Sequence, residues 1–187
     1  MPNPWAATVA EHRRDLHEAI LDATVRLVAE HGLRAVTMAQ VAATAGIGRA
    51  TLYKYYSGIE AILLAWHERE IGAHLRQLEA LIARSETADE RLRAVLETFA
   101  RMTFAYRSNP LVPLLHRGDH VARARSHLTG LIEGVLADGQ EAGDVRSDTR
   151  PEELSVYVLH ALGAAAEAPN EDALTRLVDV ILAGIHA

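Results

Sequence analysis

Residues 37–56 read TMAQVAATAGIGRATLYKYY, and they indicate the fold class more clearly than any other part of the chain. The pattern predicts two short helices joined by a turn at Gly46, because glycine adopts the positive φ that a tight turn requires. Thr37 is suited to cap the first helix, with Gln40 three residues later as in a capping box. The second helix is predicted over residues 48–56. Two helices joined in this way form a helix-turn-helix, whose second helix enters the major groove of DNA.

The helix pair has a core side and an outer side. The residues expected in the shared core are Val41, Ala45, Ile47 and Leu52. Those left on the outer face of the second helix are Arg49, Ala50, Thr51, Tyr53, Lys54 and Tyr55. Hydroxyl and basic groups of this kind donate to phosphates and reach base edges. Any short amphipathic helix pair can share the apolar spacing, but neighbouring tyrosines at 53, 55 and 56 are a poor choice for a plain solvated surface and favour DNA binding.

The rest of the chain repeats apolar residues at three- and four-residue steps, which predicts helices. They are expected over residues 11–31, 60–84, 88–107, 119–142, 152–168 and 171–185, with a short apolar piece, LVPLL, at 111–115. No strand-like alternation is evident. The predicted fold is therefore all-α with about nine helices. A three-helix DNA-binding domain at 1–58, with residues 1–10 as a disordered arm, precedes a helical domain at 59–187.

Composition narrows the function classes. The net charge is −6, but residues 1–60 hold six basic and six acidic side chains, so the acidic excess lies entirely in 61–187. This distribution suits a protein that touches DNA with one end only. No apolar run approaches the ~18 residues of a membrane span, and the N-terminus lacks the layout of a secretion signal. We expect a cytoplasmic protein.

An enzyme is the competing class, and the sequence disfavours it. The chain has no cysteine, which excludes disulfides, thiolate catalysis and cysteine-based zinc sites. It also lacks a glycine-rich phosphate loop and a serine-elbow motif, so we expect no catalytic residue and no cofactor.

Two histidine sets raise the question of a metal. They are His67, Glu70 and His74 on one helix face, and His116, His120 and His127 around a glycine turn. Imidazole and carboxylate groups can bind zinc, nickel or copper. A solvated or half-buried histidine face is the commoner arrangement, so no metal is predicted.

The chain resembles the TetR family of bacterial transcriptional regulators. The resemblance is carried by the leading helix, by Thr37 opening the second helix, by VAATAGIGRATLYKYY, and by EAILLAW at the start of the fourth helix. It covers residues 11–65 strongly and extends more weakly to GLIEGVLADGQEAGDVRSDTRPEEL at 130–154.

The resemblance implies roles for the residues of the helix pair. Thr37 would bond a phosphate, and Arg49 and Thr51 would reach base edges or nearby phosphates. Tyr53 and Tyr55 would clamp the DNA backbone, and Lys54 would reach a base or a phosphate; Gly48 and Ala50 complete the expected DNA-contact set. One departure is Gly58-Ile59, because many members have a phosphate-gripping lysine just before the acidic residue that opens the fourth helix.

For residues 59–187 the resemblance implies an effector-binding and dimerisation domain. The residues expected to line the effector pocket are Trp66, Phe99, Met102, Phe104, Tyr106, Tyr157 and His160. Tyr157 and His160 are favoured among them because buried polar groups need partners. The residues expected at the dimer interface are Leu154, Val158, Leu162, Leu174, Leu177, Val178, Ile181 and Ile185. A last helix apolar over most of its circumference should be buried on two sides, which a second copy of the chain would provide; a monomer with a central last helix is the alternative.

These expectations combine into one functional hypothesis. The chain is predicted to be a homodimer that binds a palindromic operator and is released by a small molecule in the C-terminal domain. Repression rather than activation follows from the family, where it is commoner. The alternative is a ligand-independent or protein-responsive DNA-binding regulator whose C-terminal domain only dimerises. The sequence specifies neither the effector nor the operator.

Overall fold

The computed structural model describes residues 4–107, 109, 111, 115–116 and 119–187, with side chains from residue 11 onward. It contains eight α-helices in this part of the chain and no β-strand, which confirms the all-α prediction. The helices are α1 (Pro4–His31), α2 (Met38–Thr44), α3 (Arg49–Tyr55), α4 (Ile59–Arg84), α5 (Ala88–Tyr106), α6 (Asp119–Ala142), α7 (Pro151–Gly163) and α8 (Glu171–Ile185). Short 3₁₀ turns occupy Leu33–Ala35 and Ala164–Glu167. The apolar piece LVPLL, counted as a ninth helix, lies largely outside the described residues.

The chain divides into two compact units, Met1–Glu70 and Ile71–Ala187. The sequence placed the boundary after residue 58, at the end of the helix-turn-helix. The difference arises because α4 is one continuous helix whose first three turns belong to the first unit. Within the expected disordered arm at 1–10, residues 4–10 are helical, since α1 begins at Pro4. Proline is well suited to the first position of a helix, where no N–H is needed.

The core of the first unit is formed by one stripe from each of its helices. Val41 and Leu52 are fully buried, as the sequence predicted, whereas Ala45 and Ile47 are only half-buried. The other fully buried side chains in this unit include Ile20, Leu21, Ile62 and Leu63. Each contributes roughly 1.5–3 kcal/mol through removal of its apolar surface from water. This core holds α3 so that its opposite side faces solvent.

The turn between α2 and α3 has the geometry that the sequence predicted. Gly46 adopts a φ of +70°, which glycine reaches at no steric cost. Its N–H donates to the carbonyl of Ala43 at 3.2 Å, and the N–H of Ile47 donates to the carbonyl of Ala42 at 2.9 Å. These bonds satisfy carbonyls that the end of α2 leaves open and thereby set the angle at which α3 departs.

The second unit is a helical bundle built around one apolar cluster from α5, α6, α7 and α8. Leu96, Ile132, Leu162 and Ile181 are representative members, each almost completely buried. Seven of the eight residues predicted at the dimer interface belong to this cluster, and Leu177 packs at its edge. In the protomer these side chains are covered by their own chain. Within the protomer, the apolar stripes of α7 and α8 pack in the internal core.

Candidate nucleic-acid interface

The outer face of α3 is exposed in the arrangement that the sequence predicted. Tyr53 is 53% exposed and Tyr55 is 41% exposed, although large aromatic side chains are usually covered. The remaining predicted contact residues on this face, Gly48, Arg49, Ala50 and Lys54, are also exposed, and Thr51 is half-buried. Gly48 is the N-cap of the helix, with extended backbone and no side-chain cap. The result is a short helix with buried Leu52 on one side and aromatic, hydroxyl and basic groups on the other.

Tyr56 lies on the inner side, so the grouping of three outward tyrosines was wrong for this residue. It is buried, and its hydroxyl is 2.7 Å from Nδ1 of His17 in α1, with the two rings stacked at 5.8 Å. The physical reason is helical spacing: Tyr56 lies four residues after buried Leu52, about 40° from it around the helix, and its N–H donates to the carbonyl of Leu52 at 3.0 Å. Burial raises the pKa of Tyr56 to about 12; the negative charge of Glu18 adds to this and Arg69 opposes it.

Thr37 caps α2 through a complete capping box. Its hydroxyl accepts from the backbone N–H of Gln40 at 3.3 Å and donates to Oε1 of Gln40 at 2.8 Å. The backbone N–H of Thr37 donates to the same Oε1 at 2.8 Å. This confirms that Thr37 caps α2. It also limits the phosphate contact that the family resemblance implies for Thr37. A hydroxyl has one hydrogen, so donation to a phosphate would require Thr37 to release Gln40.

The start of α4 carries no cation. The helix begins at Ile59, and its first turn contains the exposed carboxylate of Glu60. The backbone N–H of Ile62 donates to the carbonyl of Gly58 at 3.3 Å, so this end is closed by main-chain bonding. At Gly58-Ile59, where the expected phosphate-gripping lysine is absent, α4 therefore begins with an apolar residue next to a negative charge.

An ion cluster joins α4 to α1 within the first unit. Arg69 donates one N–H to Glu18 and another to Asp22 at 2.9 Å, and it lies 3.2 Å from Glu70. Together with the contact between His17 and Tyr56, it ties α1 both to the end of α3 and to α4. The sequence reasoning did not single out these residues. The signal available was the acidic i, i+4 pair of Glu18 and Asp22 on α1, which needs a cation on a neighbouring helix.

The residues predicted to bind an effector fall into two groups. Phe99, Met102, Phe104 and Tyr106 are half-buried on α5, and Phe99 and Phe104 pack against the core of the second unit. The guanidinium of Arg107 lies 3.4 Å above the ring of Phe104, a cation–π contact, and the ring of Tyr106 meets His74 edge-on at 5.8 Å. Trp66 is half-buried and belongs to the first unit.

Tyr157 and His160 do not occupy the buried positions that the sequence assigned to them. Tyr157 is 45% exposed, and His160 is exposed with Nδ1 2.7 Å from the carbonyl of Val156. The reason is helical phase: Leu154, Val158 and Leu162 form the buried stripe of α7, and at about 100° per residue Tyr157 and His160 fall outside it. Both lie on the outward face of α7.

A cavity of about 150 Å³ opens between α5 and α8, and its character is polar. Its lining includes Glu97, Arg101, Glu171, Asp172 and Thr175, and none of the residues predicted for the effector. Within the described ranges, no three histidine or carboxylate groups are arranged to hold a metal ion. His127, from one of the two histidine sets, instead pairs with Glu79 at 2.9 Å. No described helix is both long enough and apolar enough to cross a membrane.

A helix-turn-helix with an outward aromatic and basic face, together with a second unit that is a helical bundle, is the architecture of a DNA-binding regulator. The comparisons with known proteins agree. The family model of bacterial regulatory proteins of the tetR family matches residues 20–66. The model of the C-terminal domain of SbtR-like transcriptional regulators matches residues 92–187, more than half of the chain. The chain belongs to the TetR family of transcriptional regulators.

Individual relatives show the same resemblance over most of their length. The HTH-type transcriptional regulator BetI of Brucella anthropi is 29% identical over 180 residues, which cover 88% of this chain and 90% of BetI. A TetR/AcrR-family regulator from Thermobifida fusca superposes with a TM-score of 0.77 at 17% identity, covering 90% and 97% of the two chains. FadR from Bacillus subtilis, crystallised in complex with stearoyl-CoA, superposes with a TM-score of 0.69 at 18% identity, covering 90% and 99%. At these identities the two structures establish the shared fold.

Proposed function

We propose that this regulator is a homodimeric, effector-responsive repressor that acts in the cytoplasm on a palindromic operator. The observation that carries the proposal is the outer face of α3. Tyr53 and Tyr55 are solvent-exposed there, while Leu52 and Tyr56 anchor the opposite side in the core. A rigid helix that presents hydroxyl and basic groups to solvent is the element that a major groove accepts.

The proposed contacts follow from position on α3. Arg49 and Thr51 are close to the N-terminal end, which in a helix-turn-helix contacts base edges. Tyr53 and Tyr55 donate their hydroxyl hydrogens to phosphates on either side of the groove, and Lys54 adds a charge contact. Phosphate contacts set the register of the helix, and base contacts supply the sequence preference.

The second copy is proposed to cover the outward faces of α7 and α8. The described surface of the second unit exposes three large apolar side chains: Val156 at 53%, Tyr157 at 45% and Val180 at 65%. The hydroxyl of Tyr157 reaches across to Gly184, where an added Cβ would lie only 3.0 Å away. Exposed apolar side chains are therefore present on both helices, which touch at this contact, and they form the proposed dimer surface. Pairing it with its symmetry mate gives a four-helix bundle, and a two-fold dimer presents two α3 helices to half-sites ~34 Å apart.

Effector binding is proposed for the second unit. FadR from Bacillus subtilis has been crystallised with stearoyl-CoA, and this chain places the half-buried apolar side chains of Phe99, Met102 and Phe104 along α5. The apolar portion of an effector is proposed to pack against these side chains, which do not line the polar cavity between α5 and α8. Helix α4 carries residues of both units, so a shift of this helix couples them. The effector releases DNA only if it binds the DNA-incompetent state more tightly.

The DNA assignment is tested by selecting bound fragments from genomic DNA and measuring their affinity by fluorescence anisotropy. The Arg49→Ala/Tyr53→Ala variant should lose most of its affinity for the selected fragment. Arg125→Ala, an exposed arginine of α6, is the matched control and should bind as the wild type does. Full affinity in the double variant contradicts the proposal.

The dimer is tested by light scattering on the wild type and on Val180→Glu. A charge at the centre of the apolar surface should yield monomers. Thr175→Glu is the control, because Thr175 is exposed on the same helix about 140° away. A dimer that survives Val180→Glu unchanged contradicts this interface.

The effector response is tested by a thermal-shift screen of acyl-CoA and other amphiphilic compounds, followed by anisotropy with the hits. A stabilising compound that releases DNA supports the proposal. A dimer that binds DNA but responds to no compound supports the alternative of a ligand-independent or protein-responsive regulator.

A further inference from the structure

Helix α1 contributes a buried stripe to the core of the first unit. The residues that continue this stripe toward the N-terminus lie outside the core. Ile20, Leu21, Thr24 and Val28 form this stripe at three- and four-residue steps, and all are buried. His17 is the next residue of the stripe toward the N-terminus and is only half-buried. At about 100° per residue, the preceding positions on the same face are 13 and 14. Viewed down the helix axis, position 13 lies about 40° to one side of His17 and position 14 about 60° to the other. Both are arginine.

His17 fixes where this basic pair lies relative to α3. Its Nδ1 is 2.7 Å from the hydroxyl of Tyr56, the C-cap of α3. One helical turn is ~5.4 Å along the axis, so Arg13 and Arg14 lie about one turn N-terminal of His17 on α1, next to the turn that contacts the end of the recognition helix. Both side chains are exposed. The stripe thus changes from apolar to basic at the point where it passes the edge of the core.

Charge is segregated around this part of α1. The acidic side chains lie in a separate stripe about 100–160° from His17, and they are Glu11, Asp15, Glu18 and Asp22. Arg69 of α4 binds the last two. Among the residues whose side chains the structure describes, neither Arg13 nor Arg14 forms an ion pair. Glu18 and Asp22 are therefore directed toward α4, and no described carboxylate pairs with the two guanidinium groups.

We propose that Arg13 and Arg14 form a second phosphate-binding site, which grips the DNA backbone beside the C-terminal end of α3. The inference rests on the proposed DNA-binding function and adds a second element, α1, to it. The ligand is the phosphodiester backbone of duplex DNA flanking the half-site, and the contact is independent of sequence. It supplies positive charge to an interface whose α4 entry, Ile59 followed by Glu60, supplies none.

The test is the salt dependence of DNA binding by the full-length protein. Two phosphates per protomer make four per dimer, so the slope of log K against log [salt] should become shallower by about 3.6 in Arg13→Ala/Arg14→Ala. Affinity should fall by the same factor on the selected operator and on an unrelated duplex, because the lost contacts read no bases. Arg13→Lys/Arg14→Lys should keep the wild-type slope, since an ammonium also releases a counterion.

Arg26→Ala is the matched control. Arg26 is exposed on the same helix, about 180° from His17, so its removal should leave the slope unchanged. A double variant with the wild-type slope overturns the inference while leaving the proposed function intact. A wild-type protein that binds no duplex overturns both. A change about half as large in Arg26→Ala, which removes one arginine per protomer instead of two, also overturns the inference, because net charge rather than a site on one face would then set the slope.

Discussion

Two neighbouring tyrosines should respond in opposite ways to the loss of one hydroxyl group. In Tyr56→Phe, the change removes a part-buried hydrogen bond of 2.7 Å to His17. Such a bond contributes about 1 kcal/mol net, and the half-buried His17 can recover a water, so we expect a loss of about 1–1.5 kcal/mol in the free energy of unfolding. For a unit of this size, that corresponds to a fall in Tm of about 5–10 °C.

In Tyr55→Phe, the lost hydroxyl is exposed and belongs to a side chain 41% open to solvent. Stability should change by less than about 0.5 kcal/mol. DNA affinity should fall instead, because the dimer loses two proposed phosphate bonds of about 0.5–1.5 kcal/mol each, which corresponds to a rise in Kd of roughly five- to 150-fold.

The assay uses the tryptophans of the chain. Both Trp5 and Trp66 fall in the first unit, so the thermal transition followed by tryptophan fluorescence reports on that unit. Anisotropy with operator DNA gives the affinity of the same samples. The reasoning is refuted if Tyr55→Phe lowers the Tm as much as Tyr56→Phe does, or if Tyr56→Phe melts as the wild type does.

Four further outcomes follow from single contacts. Thr37→Ala should lower stability by about 1 kcal/mol through loss of the cap; Thr37→Asp should retain the cap but weaken DNA binding by repelling a phosphate, and equal affinity in Thr37→Asp would remove Thr37 from the interface. Ile59→Lys should steepen the salt dependence of DNA binding by about 1.8 per dimer, and an unchanged slope would contradict the reading of this position. Ile132→Ala should destabilise the second unit by about 2–5 kcal/mol in denaturant unfolding followed by circular dichroism, because the side chain is completely buried. Since the folded-state pKa of Tyr56 is raised to about 12 from an ordinary value near 10, its contribution is present below pH 10 and lost as the pH rises toward 12; this alkaline loss of stability should be smaller in Tyr56→Phe.

The sequence predicted the helix-turn-helix well because its determinants are local. A glycine at 46 and apolar residues at 41 and 52 specify the turn and the core within sixteen residues, and Thr37 with Gln40 specifies the cap. Tyr56 was grouped with the outward tyrosines although it lies four residues after Leu52, a spacing that places it about 40° from the buried side of the helix. The local sequence could not show its partner, because His17 lies 39 residues earlier in the chain.

For the last two helices, the sequence did not separate the residues of the internal core from those on the outward face. Helix α8 is apolar on both sides, and hydrophobicity alone does not distinguish a stripe that packs on its own protomer from one that packs on a partner. The structure assigns Val178 and Ile181 to the internal core and leaves Val180 65% exposed. The sequence signal that could have separated the two sides of α8 was the position of its small residues. Gly184 lies where the hydroxyl of Tyr157 crosses from α7, and close approach of this kind marks the outward side of the helix pair.

Charge counting connects the two proposed contact surfaces of the first unit. If Arg49 contacts base edges as proposed and Lys54 is the only α3 side chain that neutralises a phosphate, a dimer makes about two charge contacts, and the salt slope should be near −1.8. With Arg13 and Arg14 added, about six contacts give a slope near −5.4. Hydroxyl donors such as Tyr53 release no counterion and leave either value unchanged. The salt slope of the wild-type protein therefore distinguishes phosphate contacts from α3 alone from contacts by both α3 and α1, before any variant is made.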